Sequence, residues 1–230
     1  MTYFISDMHG EYGLFLALLK KIGFSKKDQM YICGDIVDKG EHSIALAKYI
    51  SSCPNMHCIV GNHELSFLQF YRATMQNATD HFDRVLKQLQ SYFPTDGHLL
   101  DWALVDWLES LPFYIETEDF ICVHAGVPVD ERGYLLPLAR VEIEHLVFDR
   151  RFKDPYFSHR SPKCVFFGHT ITSAVCGENK ILGYRRHRRT PPKSIGDYYK
   201  IHLDTGACTS GVMGCFCLET LKTAYVYTAK

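Results

Sequence analysis

Over the first third of the chain, short apolar runs alternate with stretches whose apolar residues recur every three or four positions. The run "TYFIS" (2–6) predicts a buried strand. In "EYGLFLALLKKIG" (11–23), Leu14 and Leu18 lie beside Phe15, Leu19 and Ile22, a helical stripe that stops at Gly23. "QMYIC" and "MHCIV" read as two further strands, and "SIALAKYISS" and "ELSFLQFYRATM" as the helices that come after them. Such an alternation predicts a parallel sheet with crossover helices. From about Thr79 to Ser110 the pattern is helical, "DRVLKQLQSYF" and "LLDWALVDWLESL" being separated by the breaker "PTDGH". Trp102 and Trp107 fall among its apolar positions and read as core. Beyond Pro112 the chain turns strand-rich, with short runs at "FYIET", "FICV", "CVFF", "YYKIHL", "GVMGCFCL" and "TAYVYT". Clear repeats, low-complexity tracts and linkers are absent, so residues 1–230 are read as one domain.

The polar residues fall in telling places. "TYFIS" runs into Asp7-Met8-His9, "MYICG" into Asp35, "HCIVG" into Asn62-His63-Glu64, "FICV" into His124 and "CVFFG" into His169. Taken singly, a histidine after a strand is ordinary and an aspartate there is a turn former. Five such endings together are a different matter, because open α/β sheets gather their functional groups beyond the carboxyl ends of their strands. Gly10, Gly34, Gly61, Gly126 and Gly168 stand beside these endings and suit tight turns. Carboxylate, imidazole and amide without thiolate suit Mn²⁺, Fe or Zn²⁺ better than a structural thiolate zinc. The donor set exceeds what one four-coordinate ion takes and is about right for two ions sharing a carboxylate.

Composition narrows the setting. With 230 residues, 47% hydrophobic and 22% charged, the chain is an ordinary globular protein with one substantial core. A net charge of −1 provides no field to recruit nucleic acid or an anionic membrane. Nine cysteines lie mostly inside apolar runs, without metal-type spacing, and Cys215 and Cys217 share one face of a strand. They read as reduced core residues, and with no signal peptide in view a cytoplasmic location is expected. No apolar stretch approaches the roughly 20 residues that span a bilayer.

The ordered set Asp7-Met8-His9-Gly10, Gly34-Asp35-Ile36-Val37-Asp38-Lys39-Gly40, Gly61-Asn62-His63-Glu64, His124-Ala125-Gly126 and Gly168-His169-Thr170 resembles the motifs of a known group. It is the phosphoprotein phosphatase group of the calcineurin-like metallophosphoesterases, and the small bacterial and phage serine/threonine phosphatases within it. A closing "LDTGA" (203–207) is similar too, so the resemblance covers nearly the whole chain. It implies an α/β sandwich of two mixed sheets flanked by helices, and a cofactor of two divalent ions, manganese foremost. By the resemblance Asp7 and His9 bind the first ion, Asp35 bridges both, and Asn62, His124 and His169 complete the second. His63, paired with Asp38, would be the general acid, with Lys39, Arg150 and Asn62 at the substrate. The chemistry agrees: two ions clamp a phosphoryl group and activate water, and the leaving alkoxide then needs a proton.

Two positions depart from the pattern or leave it open. The family has arginine where Lys39 stands, and lysine keeps the charge but loses the planar fork, which predicts a looser grip on phosphate. In "LVFDRRF", Arg150 stands two positions beyond Phe148 as the family suggests, with Arg151 competing. The basic run Arg185-Arg186-His187-Arg188-Arg189 reads as a solvated loop or as a contact for an acidic or phosphorylated protein, and Asp204 as a turn residue near the site.

The expected activity is metal-dependent hydrolysis of phosphomonoesters, most of all phosphoserine and phosphothreonine in proteins. One rival is a symmetrical dinucleoside tetraphosphate hydrolase, which shares the metal motifs, although that group usually lacks the equivalent of Asp38 and has Asp where Glu64 stands. Another is a non-catalytic phosphate-binding module of the same fold. The sequence leaves the physiological substrate and the oligomeric state open.

Overall fold

The computed structural model describes residues 1–76, 82–187 and 189–228. The start of the predicted middle helical stretch, 79–81, and Arg188 lie outside the described residues. Among the described residues, ten strands form two five-stranded sheets. The first contains β1 (Thr2–Ile5), β2 (Gln29–Ile32), β3 (Met56–Cys58), β9 (Val212–Cys217) and β10 (Lys222–Tyr227), in the order β10-β9-β1-β2-β3. β1, β2 and β3 run parallel, while β9 and β10 are antiparallel additions. The second contains β4 (Tyr114–Glu116), β5 (Phe120–Val123), β6 (Cys164–Phe167), β7 (Leu182–Arg185) and β8 (Tyr198–His202), in the order β4-β5-β6-β8-β7. Its centre, β5, β6 and β8, is parallel and its edges are antiparallel.

The two sheets pack face to face, and strand periodicity sorts the side chains into layers. Phe4, Cys33, Phe120, Cys122, Cys164, Phe166, Ile201 and Phe216 fill the space between the sheets. There the Phe4 and Phe166 rings stack at 3.6 Å, with Phe120 edge-on to Phe4 at 4.9 Å. The alternate residues Tyr3, Ile5, Met30 and Ile32 point outward, under the helices α1 (Tyr12–Ile22), α2 (Ser43–Ser51), α3 (Asn62–Gln76), α4 (Phe82–Gln90) and α5 (Trp102–Ser110). On the far side Ile121, Val123, Val165 and Phe167 pack against α6 (Ile143–Phe148) and its neighbouring loops. Strands covered on both faces explain why the central runs are apolar throughout rather than alternating.

Local signals set the boundaries. Gly23 closes α1 in the left-handed conformation, its amide donating to Leu19 and Lys20 carbonyls. The Asp101 carboxylate accepts from the Leu104 amide at 2.9 Å and starts α5 after the "PTDGH" break. Trp102 and Trp107 pack partly buried against the helix-layer core. Cys215 and Cys217 face that same core, and all nine thiols are unpaired. Among the described residues, no helix is long and apolar enough to cross a membrane.

Candidate active site

β1, β2 and β3 of one sheet and β5, β6 and β8 of the other direct their carboxyl ends to the same edge of the sandwich. Asp7, Asp35, Asn62, His124 and His169 lie just beyond five of these ends, and Asp204 beyond the sixth. The turns that aim them are strained. Seven described non-glycine residues have left-handed backbone, and six of them are here: Asp7, His9, Asp35, Asp38, Lys39 and His169. Such strain persists where the surroundings over-determine it, and it concentrates at functional sites. Two glycines are needed for space rather than for conformation: a β-carbon on Gly61 would collide with the Asp35 carboxylate, and one on Gly168 with that of Asp7.

The sequence-predicted ligands converge. Asp35 Oδ2 lies 3.6 Å from His9 Nε2 and 3.4 Å from His124 Nε2. Asn62 Oδ1 lies 2.9 Å from His124 Nε2 and 2.8 Å from His169 Nδ1. Two groups of donors with atoms within 4.8 Å of one another emerge, His9–Asp35–His63 and Asp7–Asp35–His124, and Asp35 is common to both. Main-chain carbonyls orient the imidazoles, Val37 O facing His9 Nδ1 at 3.1 Å and Cys33 O facing His124 Nδ1 at 2.8 Å. A carbonyl only accepts, so Nδ1 carries the proton in both rings and Nε2 presents a lone pair. The His124 lone pair therefore faces two other acceptors, Asn62 Oδ1 and the Asp35 carboxylate. Acceptors crowded together in this way are stabilised by a cation among them, and the mixed oxygen and nitrogen donors fit a divalent metal.

Burial sets the proton states. It pushes Asp7 and Asp35 well above the usual carboxylate range, assisted for Asp7 by the neighbouring charge of Asp35 and for Asp35 by that of Glu64. The same burial lowers His9 to about 3 and His169 to about 4, and holds His124 well below its ordinary value. The imidazoles are thus neutral ligands at pH 7, and a cation among the carboxyls would oppose their upward shift.

His63 stands apart from the other histidines in its partner: its Nδ1 is 2.7 Å from Asp38 Oδ2, and its Nε2 is 3.9 Å from Asp35. Burial raises the Asp38 carboxyl, but the hydrogen bonds from His63 and from the Lys39 amide outweigh it and leave the group below its usual range. Lys39 reaches into the cluster, its ammonium donating to His9 Nε2 at 2.9 Å. Arg150 and Lys39 both line a cavity of about 300 Å3 together with Asp7, His9, His169 and Asp204. The Arg150 guanidinium donates to the Thr170 hydroxyl at 3.2 Å. Arg151 is elsewhere, exposed and paired with Asp149. In the basic run, Arg186 folds back onto the Ser161, Pro162 and Gly196 carbonyls.

Two acidic residues do more than the sequence suggests. The Glu64 carboxylate, fully buried, accepts from the amides of Asp35, Ile36, Val37 and Gly61. It thereby ties the Asp35 turn to the first turn of α3. Asp204 makes the expected turn, its Oδ1 accepting from the Gly206 amide at 2.9 Å. It is also buried beside Asp7, and burial together with that neighbouring charge holds its carboxyl well above the usual range. The signal for it was a sixth apolar run, "YYKIHL", leading into a residue able to bind a metal, as the other five do.

A model of the calcineurin-like phosphoesterase family matches residues 2–189. The symmetrical bis(5'-nucleosyl)-tetraphosphatase of Buchnera aphidicola subsp. Acyrthosiphon pisum (strain APS) is 31% identical over 148 residues, 62% of this chain and 50% of that protein. The enzyme of that name from Glaesserella parasuis serovar 5 (strain SH0165) is 31% identical over 160 residues, 66% of this chain and 54% of its own. The chain spans about half the length of the curated relatives it matches. Among solved structures, a protein provisionally assigned as a diadenosine tetraphosphatase is similar with a TM-score of 0.68 at 17% identity, covering 98% of this chain and 92% of that one. A protein serine/threonine phosphatase from Saccharomyces cerevisiae reaches 0.53 at 15% identity, covering 100% and 80%. At such identities the likeness is one of fold, and one fold serves several substrates.

Proposed function

We propose, for a chain that belongs to the calcineurin-like phosphoesterase family, hydrolysis of the phosphoanhydride of a dinucleoside tetraphosphate at a two-metal site. Asp35, shared by two clusters of donors, is the observation that carries the two-metal part. The substrate is proposed from the relatives, whose name is symmetrical bis(5'-nucleosyl)-tetraphosphatase. This moves the reading away from phosphoproteins, which the motifs alone had favoured.

In this reading the ligands divide as the motif resemblance has them rather than as the two distance clusters do: Asp7, His9 and Asp35 would hold one divalent ion, and Asp35, Asn62, His124 and His169 the other, with manganese the first candidate. Bound there, the ions supply Lewis acidity and lower the pKa of water. The chain's own groups do the rest. Lys39 and Arg150 face the phosphate with positive charge, and Thr170 holds Arg150 toward the cavity. Val37 and Cys33 keep two imidazoles in the ligating tautomer, and Glu64 holds the Asp35 turn in register with α3. His63, steadied by Asp38, is placed to protonate the departing oxygen.

That last pair favours a second reading. A serine or threonine alkoxide is a poor leaving group that requires a proton, whereas a nucleoside diphosphate leaves as a stable anion. The His63–Asp38 contact of 2.7 Å therefore speaks for phosphomonoesters, phosphoproteins included. The test compares diadenosine tetraphosphate with a phosphoserine peptide, using chelator-stripped protein resupplied with Mn²⁺. The first reading expects ADP as the nucleotide product and a clear preference in kcat/KM for the tetraphosphate. Faster peptide turnover, with a loss of about 10²-fold or more in His63→Asn on the peptide, would replace it with the second.

A further inference from the structure

Beside the catalytic cavity lies a second, larger hollow of about 710 Å3. Lys39 and Cys208 line both, so these two side chains form the sill between them. The walls on either side of the sill differ in kind. The catalytic side presents ligands for cations and positive charge for phosphate. The far side presents two tyrosines, Tyr12 and Tyr227, and two carboxylates, Glu11 and Glu41. Tyr12 is braced from behind by Tyr49, the ring centroids 5.8 Å apart, while Tyr227 is exposed at the end of β10. Among the described residues lining this hollow, Lys39 is the only lysine or arginine.

That distribution limits what the hollow can accept. A polyphosphate running out of the catalytic cavity meets positive charge as far as Lys39 and carboxylates beyond it, so the anionic part of a ligand ends at the sill. Past the sill a ligand must be neutral, offer hydrogen-bond donors to carboxylates and offer a flat face to tyrosines. A nucleoside has these features: the ribose hydroxyls and base amino groups donate, and the base stacks. We infer that this hollow binds the nucleoside of the departing half of a dinucleoside polyphosphate, with the base against Tyr12 and Tyr227 and the ribose toward Glu11 and Glu41. The inference rests on the dinucleoside reading proposed for the catalytic cavity and gives that substrate its second subsite. Lys39 then holds the diphosphate of the departing half where it leaves the catalytic cavity, between the bond that is cut and the nucleoside.

The test compares wild type with Tyr12→Ala, Tyr227→Ala and the double variant on two substrates, diadenosine tetraphosphate and 4-nitrophenyl phosphate. The aryl phosphate does not reach past the sill, and its turnover also reports that each variant is folded. The double variant is expected to lose about tenfold in kcat/KM on the tetraphosphate and to stay within about twofold on the aryl phosphate. An equal loss on both substrates, or none on either, overturns the inference. ADP inhibition of aryl phosphate hydrolysis separates the nucleoside site from the choice of substrate. If wild type leaves diadenosine tetraphosphate uncut yet the double variant relieves ADP inhibition, the substrate reading falls and the nucleoside site stands. ADP inhibition indifferent to both tyrosines removes the site itself.

Discussion

Lys39 is the residue at which chemistry and backbone meet most sharply. Its φ of 68° is left-handed, its amide donates to the Asp38 carboxylate at 2.8 Å, and its ammonium sits 2.9 Å from His9 Nε2. A guanidinium in its place would meet a phosphate through two parallel N–H donors, where the ammonium offers a point charge. Lys39→Arg is therefore expected to lower KM for 4-nitrophenyl phosphate about three- to tenfold while kcat changes little. Unchanged kinetic constants would show that Lys39 does not grip the substrate. The arginines at 150 and 151 differ in what each side chain faces. Arg150 turns to Thr170 and the cavity, while Arg151 is held on the surface by Asp149. Nothing in the local sequence separates two adjacent arginines, because the distinction arises from a hydroxyl on another segment.

Among the elements, β8 carries the least expected residue. Lys200 lies within an apolar run, has no exposure, and donates to the Phe152 and Asp154 carbonyls at 2.7 and 2.6 Å. Five aromatic rings surround it, the nearest, Tyr184, at 4.6 Å from Nζ. It thus anchors the segment just after Arg150. Burial pushes its ammonium down to about 7, against the opposing pull of Asp154. Between that value and about 10.4 the unfolded chain keeps the proton and the folded one does not, so stability rises with pH across this window. In chemical denaturation from pH 7 to 10, wild type is expected to gain on the order of 3 kcal/mol relative to Lys200→Met. Parallel curves for the two proteins would contradict the assignment. The sequence announced the elements well because strands buried on both faces read as continuous apolar runs. The same runs announced five of the six strand ends, since Asp, Asn and His after an apolar run are conspicuous. It could not announce Lys200, whose partners are carbonyls and rings from distant segments. Nor could it announce the task of Glu64, which depends on four amides converging from two loops.

At the scale of the molecule, two parallel strand sets in separate sheets bring acids and imidazoles to one edge, and the sandwich between them is held by aromatic stacking. The hollow beyond Lys39 belongs to this scale too, because Tyr12 and Tyr227 come from opposite ends of the chain and no local pattern joins them. The central claim is that the strand ends form one site for two ions sharing Asp35. Its most direct test is calorimetric titration of chelator-stripped protein with Mn²⁺, repeated in buffers of different ionisation enthalpy. Wild type is expected to take up two ions per chain and, because burial shifts the Asp7 and Asp35 carboxyls upward and a cation opposes that shift, to release protons on binding. Asp35→Asn is expected to weaken both binding events, each by about tenfold or more. Hydrolysis at full rate with a single ion bound, or a variant that loses one ion and leaves the other untouched, would contradict the shared-carboxylate site.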